Sequence, residues 1–348
     1  MEYIYYPLSI LTVVLTFLPK IQHQHWIFRI ATFGKIHITA FQIILLVFGF
    51  FAVCTSLQLF IFQFILTTTI LNSTYILYPY LLKSKNKNAV TGKNFVSIIS
   101  VNVYQFNTEY HHLIKLIKKY QPDILLTIES NKDWEKAILE LDNDYTNYKK
   151  IALENTYGMH FYTQLAVENI NVNYFVADDI PSIKATLKTK DKQNFVFYGI
   201  HPPPASPTEE PNSKEKDGEL LSIAKKIKQE TLPTVVIGDF NSVAWSRITK
   251  LFTKISGLKD ARIGRGFLST FPANYRFFKI PLDLMYHTKD ISVRTLKTLE
   301  NINSDHLPLY AEFSIHQVKN NQHKASDEVL KKADELIIEG EKETSEQR

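Results

Sequence analysis

Apolar residues dominate the start of the chain, and from His37 to Leu82 there is no Asp, Glu, Lys or Arg. A transmembrane helix needs about 20 mostly apolar residues, so this uncharged stretch is long enough for two of them. A further apolar segment precedes it near the N-terminus. The sequence therefore predicts a transmembrane region at 1–82 with three spans, at 3–19, 38–56 and 60–81.

The N-terminal segment has a second interpretation, because a secretory signal peptide also contains an apolar run. Glu2 stands where such a peptide carries basic residues, and no small-residue cleavage site occurs before Lys20. These two features favour a span that is not cleaved.

Basic residues close to the predicted spans occur in two groups. The first comprises Lys20, Arg29 and Lys35, and the second is a basic linker at 83–93. With three spans, both groups lie on the same side of the membrane, and the positive-inside rule makes that side cytoplasmic. We therefore predict a multi-pass membrane protein whose large domain faces the cytoplasm.

Residues 94–316 alternate strand-like and helix-like patterns, as in a soluble α/β domain. The domain opens with a β-rich run at Phe95–Val103, helical spacing at Tyr110–Tyr120 and an apolar run at Ile124–Ile128. A second helix is predicted at Glu215–Gln229. Further strands are predicted at 161–167, 183–188, 195–200, 234–237, 282–286 and 309–315. Because strands outnumber helices, the pattern favours a layered α/β sandwich over a strictly alternating doubly wound sheet.

Two segments of the chain have a composition of their own. Residues 202–217 contain five prolines and are predicted to form an extended surface loop. Residues 317–348 form a charged tail. Within it, 327–339 predicts a short amphipathic helix that begins after Ser326 and ends at Gly340. A solvated tail with residual helix is the alternative.

The overall charge and the cysteine count say little more about function. The net charge of +5, from 40 basic and 35 acidic residues, is too small to indicate a polyanionic partner. The single cysteine, Cys54, cannot form an internal disulfide and is too little for a thiolate zinc site.

Polar residues stand at the ends of several apolar runs in the domain. A strand fixed by the core holds its last side chain in a defined place, so such positions are candidate site residues. The candidates are Asn102, Glu129, Asp239, Asn241, Asp305 and His306. Taken singly, each could be a strand-end cap or a turn residue.

Together, and in this order, these residues resemble the endonuclease/exonuclease/phosphatase superfamily, whose members share a DNase I-like sandwich. The matching positions are Asn102, Pro122-Asp123-Ile124 through Glu129, His201, Gly238-Asp239-Phe240-Asn241, Asp283 and Ser304-Asp305-His306. The resemblance covers residues 95–315. It implies a four-layer α/β sandwich, two packed mixed sheets flanked by helices, here preceded by transmembrane helices.

Finer features resemble the bacterial membrane-anchored branch of that superfamily. They include His201 followed by three prolines, and Trp245-Ser246 after the Gly-Asp-x-Asn motif. Members of this branch carry a few N-terminal spans before the catalytic domain. The resemblance therefore implies a location in the bacterial inner membrane.

The resemblance implies a divalent-metal-dependent phosphoesterase with Mg²⁺ or Mn²⁺ as cofactor. Carboxylate oxygens of Glu129 and Asp305, with an amide oxygen of Asn102, are the predicted metal ligands, because these ions prefer hard oxygen donors. Asp239 is the predicted general base or water-orienting group. Asn241 is predicted to donate to a phosphate oxygen.

Two histidines complete the predicted site. His306 is expected to contact the phosphate as an imidazolium, with Asp283 fixing its tautomer and raising its pKa. His201 is expected to be a second phosphate donor.

Two groups of residues leave alternatives open. The family has a phosphate-facing Tyr or Lys for which Tyr157 and Tyr162 are both candidates. Arg262, Arg265 and Arg276 are either a substrate-facing basic loop or solvated surface.

The leading hypothesis is a membrane-anchored phosphoesterase that hydrolyses phosphodiester bonds in the manner of a nuclease, with nucleic acid as a candidate substrate. The alternatives are a phosphatase or phosphodiesterase acting on lipid or inositol phosphate headgroups, and a catalytically silent binding domain of the same fold. The lipid bilayer is the predicted partner of the spans, and the sequence indicates no protein partner. A transporter is disfavoured, because the spans are few and carry no charge.

Overall fold

The computed structural model describes residues 1–81, 94–275, 277–316 and 325–343. The predicted linker 83–93 and Arg276 lie outside the described residues. Four helices come first: α1 (Glu2–Phe17), α2 (Trp26–Phe33), α3 (Lys35–Ala52) and α4 (Leu57–Leu81). A short 3-10 turn, Leu18–Lys20, extends α1.

Two of these helices are long and apolar enough to cross a membrane, namely α1 with its extension to Lys20, and α4. The pair α2 and α3, bent by 68°, would be a third if it forms one span. The predicted span at 38–56 overlaps α3, and its membrane bounds stay a prediction. The helix α3 begins at Lys35, and residues 53–56 form the non-helical turn before α4.

The three long helices pack against one another through polar as well as apolar contacts. The Gln42 amide on α3 donates to the carbonyl oxygen of Thr12 on α1 and, at 3.0 Å, to the Thr16 hydroxyl. Near the other end of α1, the fully buried Tyr5 packs against Phe48. The start of α1 therefore lies beside the α3–α4 turn, and the end of α1 lies toward the large domain.

The large domain contains twelve strands and five helices among the described residues. The strands are β1 (Val96–Asn102), β2 (Ile124–Ile128), β3 (Asn147–Ile151), β4 (Met159–Thr163), β5 (Ala166–Asn173), β6 (Ser182–Lys188), β7 (Asn194–Ile200), β8 (Thr234–Asp239), β9 (Lys259–Asp260), β10 (Asp283–His287), β11 (Ile291–Thr298) and β12 (Leu309–Ile315). The helices are α5 (Tyr110–Tyr120), α6 (Lys132–Ala137), α7 (Lys214–Lys228), α8 (Arg247–Ser256) and α9 (Asp327–Glu341).

The strands form two six-stranded mixed sheets. Their orders are β11-β12-β1-β2-β4-β3 and β5-β6-β7-β8-β10-β9. The central core lies between the sheets, where fully buried residues such as Ile98, Phe161 and Phe197 meet. Helices α5 and α6 pack on the outer face of the first sheet, and α7, α8 and α9 pack on that of the second. The predicted four-layer α/β sandwich is confirmed.

The predicted strand at 161–167 is wrong, because the chain changes sheets within it. Strand β4 ends at Thr163 in the first sheet, and β5 begins at Ala166 in the second. The intervening turn is held by the backbone N–H of Gln164, which donates to the carbonyl oxygen of Asp123. An apolar run alone does not show where a strand leaves one layer for the other.

The domain sits directly against the N-terminal helices. Leu77 and Tyr80, near the end of α4, belong to the same apolar cluster as Trp245 and the core of α7. The Trp245 indole donates to the carbonyl oxygen of Thr32 on α2 at 2.9 Å. On the other side, the Gly264 amide donates to the carbonyl oxygen of Pro79.

The C-terminal helix α9 packs closely on α7. Gly340 does not end this helix as predicted, because α9 continues to Glu341. A side chain at Gly340 would place its Cβ 2.8 Å from the Lys214 carbonyl oxygen and 3.3 Å from Gly218 Cα. The glycine is therefore a helix-packing residue.

Candidate active site

The predicted site residues lie at one edge of the sandwich, where strands of both sheets end. Asn102 ends β1, Glu129 follows β2 and Asp239 ends β8. Asp283 is the first residue of β10, which pairs antiparallel with β8, so Asp283 lies directly opposite Asp239. The antiparallel pairing explains how the start of one strand and the end of its neighbour form one site.

The sequence predicts no strand between those at 282–286 and 309–315, and this is wrong, because β11 lies between β10 and β12. The missed strand β11 is amphipathic and half exposed, at the edge of the first sheet. Its position does not affect the placement of Asp283.

Asp239 is the centre of the cluster. Its Oδ2 lies 3.3 Å from the Asn102 amide nitrogen, 3.6 Å from His306 Nε2 and 4.0 Å from His201 Nε2. Its Oδ1 accepts the backbone N–H of Asn241 at 2.9 Å. Asp239 is only 1% exposed, and its carboxylate is held from several sides.

A glycine allows β8 to approach the residues that carry His201. Gly238 has φ of +153°, and a Cβ there would lie 2.0 Å from the Ile200 carbonyl oxygen. Any side chain would therefore push β8 away from the end of β7. This close contact explains why the first position of the Gly-Asp-x-Asn motif is a glycine.

Asn102 connects Asp239 to Glu129. Its amide nitrogen donates to Glu129 Oε1 at 2.6 Å, while its amide oxygen accepts the backbone N–H of Tyr104. In this geometry, the predicted ligand atom of Asn102, its oxygen, faces the backbone. Asn102 holds the Glu129 carboxylate in place, and its oxygen would become a ligand only after the amide turned over.

Burial and like charges act on the carboxylates at this edge. Burial raises the pKa of Glu129 to about 7, and the neighbouring charge of Asp305 adds to this rise against the hydrogen bond from Asn102. Burial, together with the charge of Asp239, also raises the pKa of Asp305. A cation placed among these carboxylates would relieve both effects.

His306 forms a buried pair with Asp283. Its Nδ1 lies 2.9 Å from Asp283 Oδ2, and both residues are less than 5% exposed. Burial alone would lower the pKa of His306, but the charges of Asp283 and Asp239 raise it to about 10. His306 is therefore an imidazolium near neutral pH, with Nε2–H directed toward Asp239.

The loop that carries His306 is tied to strand β1. The Ser304 hydroxyl donates to the carbonyl oxygen of Asn102 at 2.8 Å and accepts the backbone N–H of His306 at 3.0 Å. This double contact explains the serine of the Ser-Asp-His motif. It also holds Asp305 beside the carboxylates described above.

His201 is also buried, but its charge state differs from that of His306. Burial lowers the pKa of His201 to about 4 despite the charge of Asp239. The ring is therefore neutral at neutral pH. Its Nδ1 is buried without a hydrogen-bond partner in the described structure.

The two tyrosine candidates are separated by the structure. The Tyr157 ring lies 5.3 Å from the His201 ring, at the edge of the site. Tyr162 is fully buried on the outer face of the first sheet, against Tyr145 and Tyr148, so it is excluded from the site.

The basic loop lies elsewhere. Arg262 is fully buried, with its guanidinium 5.5 Å from the centre of the Tyr80 ring, so neither predicted role for it is correct. Arg265 donates to backbone oxygens of β11. Arg262 and Arg265 therefore make contacts with α4 and with β11, and they do not face the cluster around Asp239.

Sequence reasoning missed Lys216, near the start of α7. Its ammonium donates to the carbonyl oxygen of Asn241 at 3.0 Å, and burial lowers its pKa to about 8. The surrounding run Lys214–Glu219 is rich in charged residues, and most of it is buried beneath α9 and the N-terminal segment. The predicted surface loop at 202–217 is likewise partly buried.

The donor set suits a hard divalent cation. Glu129 and Asp305 offer carboxylate oxygens, and no described cysteine is near. Asp239, Asp283 and His306 also bring ligand atoms within 4.8 Å of one another. His306 is protonated and paired with Asp283, however, so this triad is less suited to bind a metal than the Glu129 side.

The strand ends and the paired His306 thus lie together at one edge of a DNase I-like sandwich. The model of the Endonuclease/Exonuclease/phosphatase family matches residues 99–306, which is more than half of the chain. The chain belongs to this family. Among curated proteins, no sequence matches it.

Solved structures show the same fold. D. rerio TDP2 complexed with single strand DNA product aligns with a TM-score of 0.54 and 16% identity, covering 63% of this chain and 99% of that one. The human nocturnin catalytic domain with bound sulfate anion aligns with a TM-score of 0.50 and 20% identity, and the alignment covers 64% of this chain and 94% of that one. Truncated Caenorhabditis elegans TDP2 aligns with a TM-score of 0.50 and 20% identity, and the alignment covers 63% of this chain and 97% of that one.

Proposed function

We propose that this protein is a membrane-anchored, divalent-metal-dependent phosphodiesterase whose site lies around Asp239. One observation carries the proposal: a buried carboxylate lies within 4.0 Å of two histidines, one charged and one neutral, beside a second group of carboxylates. A phosphodiester is an anion, so its hydrolysis needs a base for water and positive charge near the phosphorane. The site offers both.

Asp239 is the proposed general base. The Asn241 N–H holds its Oδ1 and leaves Oδ2 directed into the site, where Asn102 and the histidines also point. A carboxylate in this position can orient a water molecule and accept its proton as the water attacks phosphorus.

His306 is the proposed stabiliser of the developing negative charge. Asp283 keeps its Nδ1 protonated, so Nε2–H remains available to a non-bridging phosphate oxygen. His201, which is neutral, can donate a second hydrogen bond from Nε2. The Asn241 amide is engaged by the carbonyl oxygen of Pro202 at 3.0 Å, so it must leave this partner to reach substrate.

Glu129 and Asp305 are the proposed ligands of Mg²⁺ or Mn²⁺. A bound divalent cation supplies Lewis-acid stabilisation of a phosphate oxygen. Asn102 keeps Glu129 oriented toward this position through the 2.6 Å hydrogen bond. Lys216 holds the Asn241 carbonyl group and thus the loop that follows β8.

Nucleic acid is the proposed substrate class. The zebrafish TDP2 structure of the same fold was obtained with a single strand DNA product. Hydrolysis of lipid or inositol phosphate headgroups is the second candidate, and the packing of α4 against the domain favours it, because it keeps the site near a bilayer.

We also infer that α1, α3 and α4 form three spans, with α2 at the membrane surface beside the domain and the domain on the cytoplasmic side. The start of α1 and the α3–α4 turn lie together at the end of the bundle away from the domain. Lys20, Arg29 and Lys35 lie at the opposite end, as the positive-inside rule requires.

A substrate panel tests the function. The full chain, purified in detergent, is incubated with single-stranded DNA, plasmid DNA, RNA, sphingomyelin and inositol phosphates, with Mg²⁺, Mn²⁺ or EDTA. We expect metal-dependent cleavage of a nucleic acid. Cleavage of only the lipid or inositol compounds would select the second candidate, and full activity in excess EDTA would overturn the metal assignment.

A further inference from the structure

A cavity of about 850 Å³ lies between the N-terminal helices and the large domain. Its walls come from the end of α1, helix α2, the start of α3 and the later half of α4 on one side. On the other side they come from α7, α8 and α9. None of Asp239, Glu129, Asp283 or His306 lines it, although Lys216, which holds the Asn241 carbonyl group, does.

The cavity is strongly basic. Nine lysine or arginine side chains line it, against three acidic ones. Two of the acids are already engaged: Asp217 pairs with Arg29 at 3.4 Å, and Glu335 pairs with Lys332 at 3.7 Å. The basic residues of the wall therefore outnumber the acidic ones by three to one.

Individual groups show the same imbalance. Lys35 is 8% exposed, and no acidic group of the described residues forms an ion pair with its ammonium. Burial, followed by the charge of Lys254, lowers the pKa of Lys250. Burial, followed by the charge of Arg29, lowers the pKa of Arg247. Mutual repulsion of this kind is relieved by an anion.

The wall from α4 adds an unpaired donor. Asn72 lines the cavity, and its amide nitrogen is buried without a hydrogen-bond acceptor in the described part of the chain. Buried polar groups without a partner are uncommon, because the desolvation cost is not repaid. An acceptor oxygen from a bound molecule would satisfy it.

The position of the cavity identifies the source of such an anion. Lys20 and Lys35 stand at the domain-side ends of the apolar helices α1 and α3, where lipid headgroups lie when the helices span a bilayer. Phe33 and Ile76 provide apolar wall beside the charges. The site thus combines basic groups with apolar side chains at the domain-side ends of these helices.

We propose that this cavity binds the phosphate headgroup of an anionic phospholipid, which joins the membrane helices to the catalytic domain. The proposal rests on the apolar helices lying in a bilayer but does not depend on the enzymatic activity. The phosphate group would contact Lys35, Lys250 and Arg247, and an oxygen would accept from Asn72.

Direct binding measurements test the proposal on the full chain in delipidated detergent micelles. Dioctanoyl phosphatidylglycerol, dioctanoyl phosphatidylcholine and inorganic phosphate are titrated separately, and bound ligand is counted by native mass spectrometry. We expect saturable, one-to-one binding of phosphatidylglycerol, with at least tenfold weaker binding of the other two.

Charge-removing variants locate the site. Lys35→Gln and Lys250→Gln should each raise the Kd for phosphatidylglycerol about fivefold, the effect of one basic residue near an anionic headgroup. Lys149→Gln, an exposed lysine on β3 at the far edge of the other sheet, should leave the Kd unchanged. Circular dichroism spectra and melting temperatures of the variants exclude misfolding.

Each contrary outcome has a defined meaning. Binding of inorganic phosphate as tight as that of phosphatidylglycerol would overturn the lipid as the source and leave a soluble phosphate ligand. Equal binding of phosphatidylcholine would overturn the role of net charge. If folded Lys35→Gln and Lys250→Gln proteins bind phosphatidylglycerol as the wild type does, the cavity is not the site.

Discussion

The pair of Asp283 and His306 allows the sharpest prediction, because a single atom exchange in Asp283→Asn removes its charge and keeps its shape. His306 Nδ1 lies 2.9 Å from Asp283 Oδ2 in a buried position. The pKa of His306 rises from 6.5 to about 10 because the two aspartates outweigh burial. That difference corresponds to on the order of 5 kcal/mol in favour of the imidazolium.

Without the charge of Asp283, only Asp239 and the weaker effect of Asp305 oppose the cost of burial. An opposite charge at this distance typically changes a pKa by 1–3, so we expect the pKa of His306 to fall by about 2 or more. The imidazolium would then be lost as the pH rises through about 8 rather than about 10. At pH 8 about half of the His306 rings would still be protonated, and at pH 10 only about 1%, so kcat of the variant should fall by about 10²-fold between neutral pH and pH 10.

The assay is the pH dependence of kcat for metal-dependent hydrolysis of bis(p-nitrophenyl) phosphate. The wild type should keep its activity up to about pH 10, and Asp283→Asn should lose it at lower pH. Asp178→Asn, at an exposed loop position, is the matched control and should behave as the wild type does. The double variant with His306→Ala should lose much less than the product of the single losses, because the two groups act as a unit.

An unchanged alkaline limb in Asp283→Asn would show that Asp283 does not hold the proton of His306. Multiplicative losses in the double variant would show the same thing by an independent route. Either result would refute the reasoning from the buried pair.

Five further predictions follow from the structure. Glu129→Gln should weaken Mn²⁺ binding, measured by calorimetry, at least tenfold, while Glu168→Gln at an exposed position on β5 should not. Since burial raises the pKa of Glu129 to about 7, Mn²⁺ affinity of the wild type should fall about tenfold per pH unit below that value, as protons compete. Glu129→Gln should also raise the melting temperature of the metal-free protein at pH 8 but not at pH 4.5. The reason is that an acid with a higher pKa in the folded state than in the unfolded state destabilises the fold only above its pKa in the unfolded state. Gly340→Val should lower the unfolding free energy by about 1–3 kcal/mol, seen as a lower melting temperature, because its Cβ would meet the Lys214 backbone. A reporter inserted at Ser56 should lie on the membrane face opposite the domain; a cytoplasmic signal there would contradict the proposed topology.

The parts of the site that were predictable from sequence are those at strand ends. Asn102, Glu129 and Asp239 each follow an apolar run, and a run of that kind fixes its last side chain in space. Asp283 and His306 have no such signal to show that they touch. Their contact depends on the antiparallel pairing of β8 with β10 and on the Ser304 bonds, which are long-range features.

Other residues could not be assigned from sequence because their environment is made by distant segments. Lys216 looks like part of a solvated charge run, and it becomes buried only because α9 and the residues before α2 cover α7. Arg262 looks like a basic loop residue, and it is buried only because Tyr80 of α4 packs over it. Helix α8 was missed although its apolar positions recur at helical spacing, since its many lysine, threonine and arginine residues read as a loop.

Hydrolysis of bis(p-nitrophenyl) phosphate by wild-type protein and by Asp239→Asn, each with Mg²⁺ and with EDTA, tests the central claim most directly. We predict that the wild type turns over only with the metal ion. Asp239→Asn should be slower by about 10²- to 10⁴-fold at an unchanged fold, with Asp178→Asn as active as the wild type. Equal turnover by wild type and Asp239→Asn, or wild-type turnover undiminished by EDTA, would contradict the claim that this cluster is a metal-dependent phosphodiesterase site.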